Sequence, residues 1–246
     1  MKKQSFTLIE LIIVIIIIGI LYSSISFSIS NTSLNQAADQ IVSHINYTRH
    51  LAIKDNKMQY YPINNSKAEM NRSKYWFKQW WHLRFSDYTK DGTTYYWYEI
   101  FTDVPDDSKS YNFDQNGKNP KDKWEESYAK NSLDNKYLVG NCYSSGYPDC
   151  DEIDETLNLT QNYSVKKIIF NNFNVTSRAH ILFDNYGVIY LDEGESGDKG
   201  DINPYDKDER VPLLKTAKIT LCADEECEEN ISVCISAKIG SAYICK

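Results

Sequence analysis

The sequence predicts an α+β protein: one long N-terminal helix, half apolar and half amphipathic, packed on an antiparallel β-sheet head. Three features carry that expectation. Residues 6–29 are almost wholly apolar, with Phe6 to Leu21 interrupted only by Thr7, Glu10 and Gly19. Downstream, Leu34, Ala37, Ala38, Ile41, Ile45, Thr48 and Ala52 recur at spacings of three and four, the period of a helix with one apolar stripe. Beyond Met58, the runs KYWFKQWWHLRFSD and TTYYWYEIFTD alternate aromatic and β-branched residues around the pair Asp91–Gly92, a hairpin signature.

Taken in order, the chain divides into a short basic leader over residues 1–5, an apolar helix over 6–29, its amphipathic continuation over 30–57, and a β-rich head over 58–246. The helix is expected to end near Lys54, with Gly19 and the serine-rich stretch YSSISFSIS as places where it softens. Within the head, residues 104–134 are dense in Asp, Asn, Lys and Ser and read as a long surface insertion. Strands return at VKKIIFNNFNV, AHILFDNYGVIYL, AKITLCAD and ISVCISAKIGSAYICK.

Composition narrows the function classes. The 246 residues carry a net charge of −7, from 27 basic and 34 acidic groups. An acidic balance disfavours a large nucleic-acid footprint, which needs clustered Lys and Arg to displace counterions. The six cysteines, Cys142, Cys150, Cys222, Cys227, Cys234 and Cys245, never form a CxxC pair and stand apart from the histidines. They read as disulfides of an oxidising compartment rather than as a zinc site. Six cysteines allow 15 pairings. Local closure suggests Cys142–Cys150, Cys222–Cys227 and Cys234–Cys245.

No catalytic constellation emerges, and the chain is not expected to be an enzyme. His44, His50, His82 and His180 lie in different elements, and none adjoins a nucleophile motif. The acidic tract from Asp192 to Glu209 offers hard oxygen ligands for calcium in Asp198, Asp201, Asn203, Asp206 and Asp208, although its spacing departs from the twelve-residue helix-loop-helix pattern. A solvated loop is the plainer reading, and no other cofactor is indicated. The aromatic cluster Tyr75, Trp76, Phe77, Trp80, Trp81 and Tyr95 to Tyr98 reads mainly as core, with one of the adjacent pair Trp80 and Trp81 turned outward as a contact. Acidic-extended sequons occur at Asn71 and Asn230.

Glu10 is the informative residue. A carboxylate inside such an apolar run costs about 2.5–3.5 kcal/mol on insertion scales, so its retention calls for a partner. Lys2 and Lys3 ahead of an apolar core admit a secretory signal peptide cut near Ser26 or Ser30, a signal anchor, or a very short leader removed ahead of a retained helix. An acid inside the apolar core serves only the third.

The string SFTLIEL resembles the processing site of type IV pilins and type II secretion pseudopilins. The resemblance implies cleavage by the prepilin peptidase between Ser5 and Phe6, N-methylation of Phe6, and Glu10 as the fifth residue of the mature chain. Ser5 stands where the family normally has glycine. It further implies that Glu10 of one chain meets the new Phe6 amine of a neighbour in a helical stack. QIVSHINYTRHLAIKDNK, AHILFDNYGVIY and ITLC…ISVCISAKIG are similar to segments of the H-type minor pseudopilin and FimT-like family. DNA-binding members carry an arginine-rich turn after the last glycine. Here Gly240-Ser241-Ala242-Tyr243 holds no arginine, so nucleic acid is not an expected partner of the tail. The implied role is a non-catalytic minor pseudopilin that initiates or caps a secretion-type or DNA-uptake filament. It would be anchored in the bacterial inner membrane with its head in the periplasm, and its partners would be other pseudopilins, the prepilin peptidase and the inner-membrane assembly platform. The rival reading is a ligand-binding module for DNA or a secreted substrate, carried on the same anchor.

Overall fold

The computed structural model describes residues 8–55, 57, 73, 76–103, 127–142, 147–173, 179–191, 211–237 and 239–245, the side chains of 22–31, 78 and 211 excepted. The leader, Ser5, Phe6 and the five calcium candidates lie outside these residues.

Helix α1 is continuous over Leu8–Lys54, 47 residues, or about 70 Å at about 1.5 Å per residue. Its lower half folds as its periodicity dictates. Leu34, Ala37, Ala38, Ile41, Ile45, Thr48 and Ala52 are all buried. The stripe is narrow and partly alanine, so the backbone lies close against the head. Thr48 turns its hydroxyl back to the His44 carbonyl at 2.7 Å, which satisfies a polar group at a buried position.

The head holds two antiparallel sheets. Strands β1 (Trp81–Lys90) and β2 (Thr93–Thr102) form the hairpin, followed by a one-turn helix α2 (Leu159–Tyr163). Then come β3 (Lys167–Asn171), β4 (His180–Phe183), β5 (Ile189–Leu191), β6 (Val211–Pro212), β7 (Ala217–Cys222), β8 (Asn230–Ile235) and β9 (Ala242–Cys245). The first sheet runs β2-β1-β4-β5-β6 and the second β3-β7-β8-β9. The hairpin turn places Asp91 and Gly92 at φ 51° and 78°, the doubly left-handed geometry that matches strand twist.

The main core lies between α1 and both sheets, built from Ile41 and Ile45 against Leu83, Phe85, Tyr98, Ile181, Ile219 and Val233, among others. Alternation sends the next residues of β1 and β2 to the opposite side of the first sheet. There Trp97 and Phe101 meet Tyr128, Tyr137, Val139 and Ile153 in a second core. The segment expected as a surface insertion is therefore not all surface. Residues 104–126 lie outside the described set, but Tyr128 and Ala129 are buried. Tyr128 and Val139 form bridges to Phe101 and Glu99, so this segment seals the free edge of β2. Gly140 permits the seal, since a Cβ there would meet the Leu157 backbone at 2.6 Å.

The adjacent tryptophans also differ from expectation. They face opposite sides, yet both are buried, Trp81 in the main core and Trp80 against Leu182 and Tyr190. A covered second face leaves neither of them exposed.

Candidate functional site

The helix divides functionally at its middle. Over Leu8–Leu21 its apolar side chains are not stripe-like but surround the axis. Leu8, Ile9, Leu11, Ile12, Ile13, Val14, Ile15, Ile16, Ile17, Ile18, Ile20 and Leu21 are all exposed. A helix apolar on every side is buried by something outside its own chain, either lipid or other helices. Among the described residues no helix is long and apolar enough to cross a membrane. The stretch with described side chains, Leu8–Leu21, is shorter than the ~20 residues a bilayer requires. Glu10 sits in the first turn of this stretch, exposed, where a carboxylate also complements the helix dipole.

Where the helix enters the head, polar contacts fix its register. Gln40 donates to the Tyr98 hydroxyl at 2.8 Å, and His44 Nδ1 shares that hydroxyl at 2.7 Å. Tyr163 donates to the Gln40 side-chain oxygen, Oε1. Burial drives the Tyr98 phenol well above its ordinary range, against the lowering effect of the Gln40 contact. Burial likewise lowers His44 to about 4, against the pull of the Asp154 carboxylate. One turn on, the Asn46 amide accepts from the Ala242 N–H at 3.1 Å and donates to its carbonyl at 3.2 Å. It thus replaces a missing strand at the start of β9. At the far end of the helix, Trp81 Nε1 donates to Asp55 at 3.0 Å. These contacts run α1 from Tyr98, in the middle of the β1–β2 ladder, to the Trp81 end of β1.

The second face of the first sheet gathers charges that are scattered in the sequence. His82 Nε2 meets Asp103 at 2.9 Å, and His82 Nδ1 meets His180 Nε2 at 2.7 Å. Arg84 donates to Glu99 directly across the β1–β2 ladder. Burial works against the Arg84 cation, but the Glu99 carboxylate outweighs it and raises the guanidinium above its ordinary range. Single-sequence reading left these histidines in separate elements. The signal was the alternation of His82, Arg84 and Ser86 with Trp81, Leu83 and Phe85 in the first half of β1. Asp103, His82 and His180 link β2, β1 and β4, and the geometry is that of a strand clamp.

The cysteines close three short loops: Cys142–Cys150, Cys222–Cys227 and Cys234–Cys245. Such bonds persist in oxidising compartments. Among the described residues no group of three or more His, Cys, Asp or Glu is arranged to hold a metal ion. The aromatic cluster is largely interior, as its reading mainly as core anticipates. Trp80, Trp81, Trp97 and Tyr98 are buried, whereas Phe77 is exposed.

Residues 1–22 match the model of the prokaryotic N-terminal methylation motif. No curated protein and no solved structure matches the chain.

Proposed function

We propose that this chain, which carries a prokaryotic N-terminal methylation motif on a rod of exposed isoleucine, is a minor pseudopilin. In this reading it is a non-catalytic filament subunit. The prepilin peptidase cuts between Ser5 and Phe6, the new amine is methylated, and the protein waits in the bacterial inner membrane with its head in the periplasm. The assembly platform then draws it into a short filament of pseudopilins, which it initiates or caps, in secretion or in DNA uptake.

One observation carries the proposal: the apolar half of α1 is exposed on every side, while the other half is bound to the head by a single stripe. Such a rod trades lipid for neighbouring helices without altering the head. Glu10 supplies register, because a carboxylate in an apolar environment is relieved when it meets the Phe6 amine of a neighbour. The short disulfide loops fit a periplasmic head.

Two measurements test this. Mass spectrometry of the mature N-terminus is expected to find methyl-Phe6; an intact initiator methionine refutes the processing step. Glu10→Leu is expected to leave the protein in the membrane and to lower its recovery in filaments by about tenfold or more, as for a lost charge pair in an apolar setting. Normal incorporation of the variant contradicts the role given to Glu10.

A further inference from the structure

Two imidazoles meet on the covered second face of the first sheet. His82 of β1 is buried, with Phe101 opposite it in β2 and Leu182 opposite it in β4. Both of its ring nitrogens are engaged. Nε2 meets the buried Asp103 carboxylate at 2.9 Å, and Nδ1 meets His180 Nε2 at 2.7 Å. The Phe101 ring stacks on His82 at 4.8 Å between centroids and lies 5.8 Å from His180, which fixes the orientation of both rings. His180 is half-buried, so it is the solvent-side end of the row Asp103–His82–His180.

A carboxylate can only accept, so His82 Nε2 carries a proton whenever Asp103 is ionised. The two facing nitrogens share one proton, because two N–H groups cannot point at each other and two bare nitrogens have nothing to share. A single extra proton fits on the outer nitrogen of His180 and leaves the row intact. The next must sit at the shared position, and it breaks the contact between the rings.

Charge balance sets the same limit. Arg84 lies opposite His180 across β1–β4 and opposite Glu99, its ion-pair partner, across β1–β2. Among the described residues of this face, the cation Arg84 thus stands against the carboxylates Glu99 and Asp103. One proton on the histidines balances the set, and a second leaves an uncompensated cation beside Arg84, which is costly at a buried position. The other ionisable groups here are phenols, Tyr190 of β5 and Tyr128, Tyr137 and Tyr147 of the covering segment, and they add no positive charge.

We propose that Asp103, His82 and His180 form an acid-sensitive latch, closed while the two rings share a proton and sprung when both are charged. The latch ties β2 and β1 to β4, and β5 and β6 pair into the sheet only through β4. Its opening therefore releases one flank of the first sheet and leaves the β1–β2 hairpin in place. In acid the open state binds one more proton than the closed state, so falling pH favours opening, by about tenfold per pH unit. Protonation of Asp103 acts in the same direction. The latch is a property of the head and does not depend on how the chain assembles.

The test uses the full-length chain in detergent micelles, with isotope-labelled histidine and with His44→Gln so that the titration of His44 is removed. A scalar coupling between His82 Nδ1 and His180 Nε2 is expected near neutral pH, since only a shared proton transmits it. On acidification the coupling is expected to vanish. Exchange of the β4 amides, corrected for intrinsic rates, is expected to quicken about tenfold per pH unit relative to the amides of β7 and β8. His82→Gln and His180→Gln are each expected to abolish that slope. No coupling near neutral pH, a coupling that persists once β4 has loosened, or a slope that survives the substitutions overturns the latch. Loosening of β4, β7 and β8 together is global acid unfolding and overturns it as well. If a glutamine variant fails to form its disulfides on a non-reducing gel, the coupling and the exchange of the parent chain decide alone.

Discussion

His44 is the residue whose titration is most visible in the fold. Burial depresses its pKa from 6.5 to about 4, so the folded state resists the proton that the unfolded chain accepts. Between pH 6.5 and 4 the unfolded state binds more protons, and stability falls as pH falls, by up to about 1.4 kcal/mol per pH unit. Thermal unfolding of His44→Gln across that window is expected to show a shallower pH slope than the wild type; equal slopes would remove His44 from the account. The Arg84–Glu99 pair poses a different test. Arg84→Met removes the cation facing a wholly buried carboxylate and is expected to cost about 3–5 kcal/mol. Arg84→Met with Glu99→Leu is expected to recover most of it, because buried pairs often barely repay their desolvation. Denaturant midpoints of the single and double variants decide the matter.

Among the elements, α1 is held by few side chains. Ile41 and Ile45 are its largest fully buried ones. Ile41→Ala is expected to cost about 2–5 kcal/mol through lost burial and the cavity it leaves, measured by urea unfolding. The stripe that makes this prediction was legible in the sequence before any tertiary contact, because helical periodicity is local. So were the β1–β2 hairpin around Asp91–Gly92 and the tight turn at Gly187. The segment from Tyr128 to Val139 was not. Its Asp, Asn and Lys content reads as solvent-facing, and only pairing with the edge of β2, distant in sequence, recruits its aromatic residues to a core.

At the scale of the molecule, the head is stapled by three local disulfides. Loops of 8, 5 and 11 residues correspond to about 2–3 kcal/mol each in the chain-entropy account. Cys234→Ser with Cys245→Ser is expected to lower stability by about that amount, measured by denaturant unfolding curves. The larger feature is the polarity of the molecule. An apolar rod extends from a head whose β4–β5 turn and last turn of α1 leave Ile53, Tyr186 and Val188 exposed.

By itself the sequence determined what depends on near neighbours along the chain: the apolar rod with its one acid, the buried stripe of α1, the hairpin and the closure of adjacent cysteines. Periodicity and short loop closure act over a few residues, so they are written in the order of residues. Only the tertiary structure decided that His82, Asp103 and His180 would meet, that Arg84 would face Glu99, and that both Trp80 and Trp81 would be covered. Those outcomes follow from strand register and direction, which join residues distant in the chain and which local spacing does not encode.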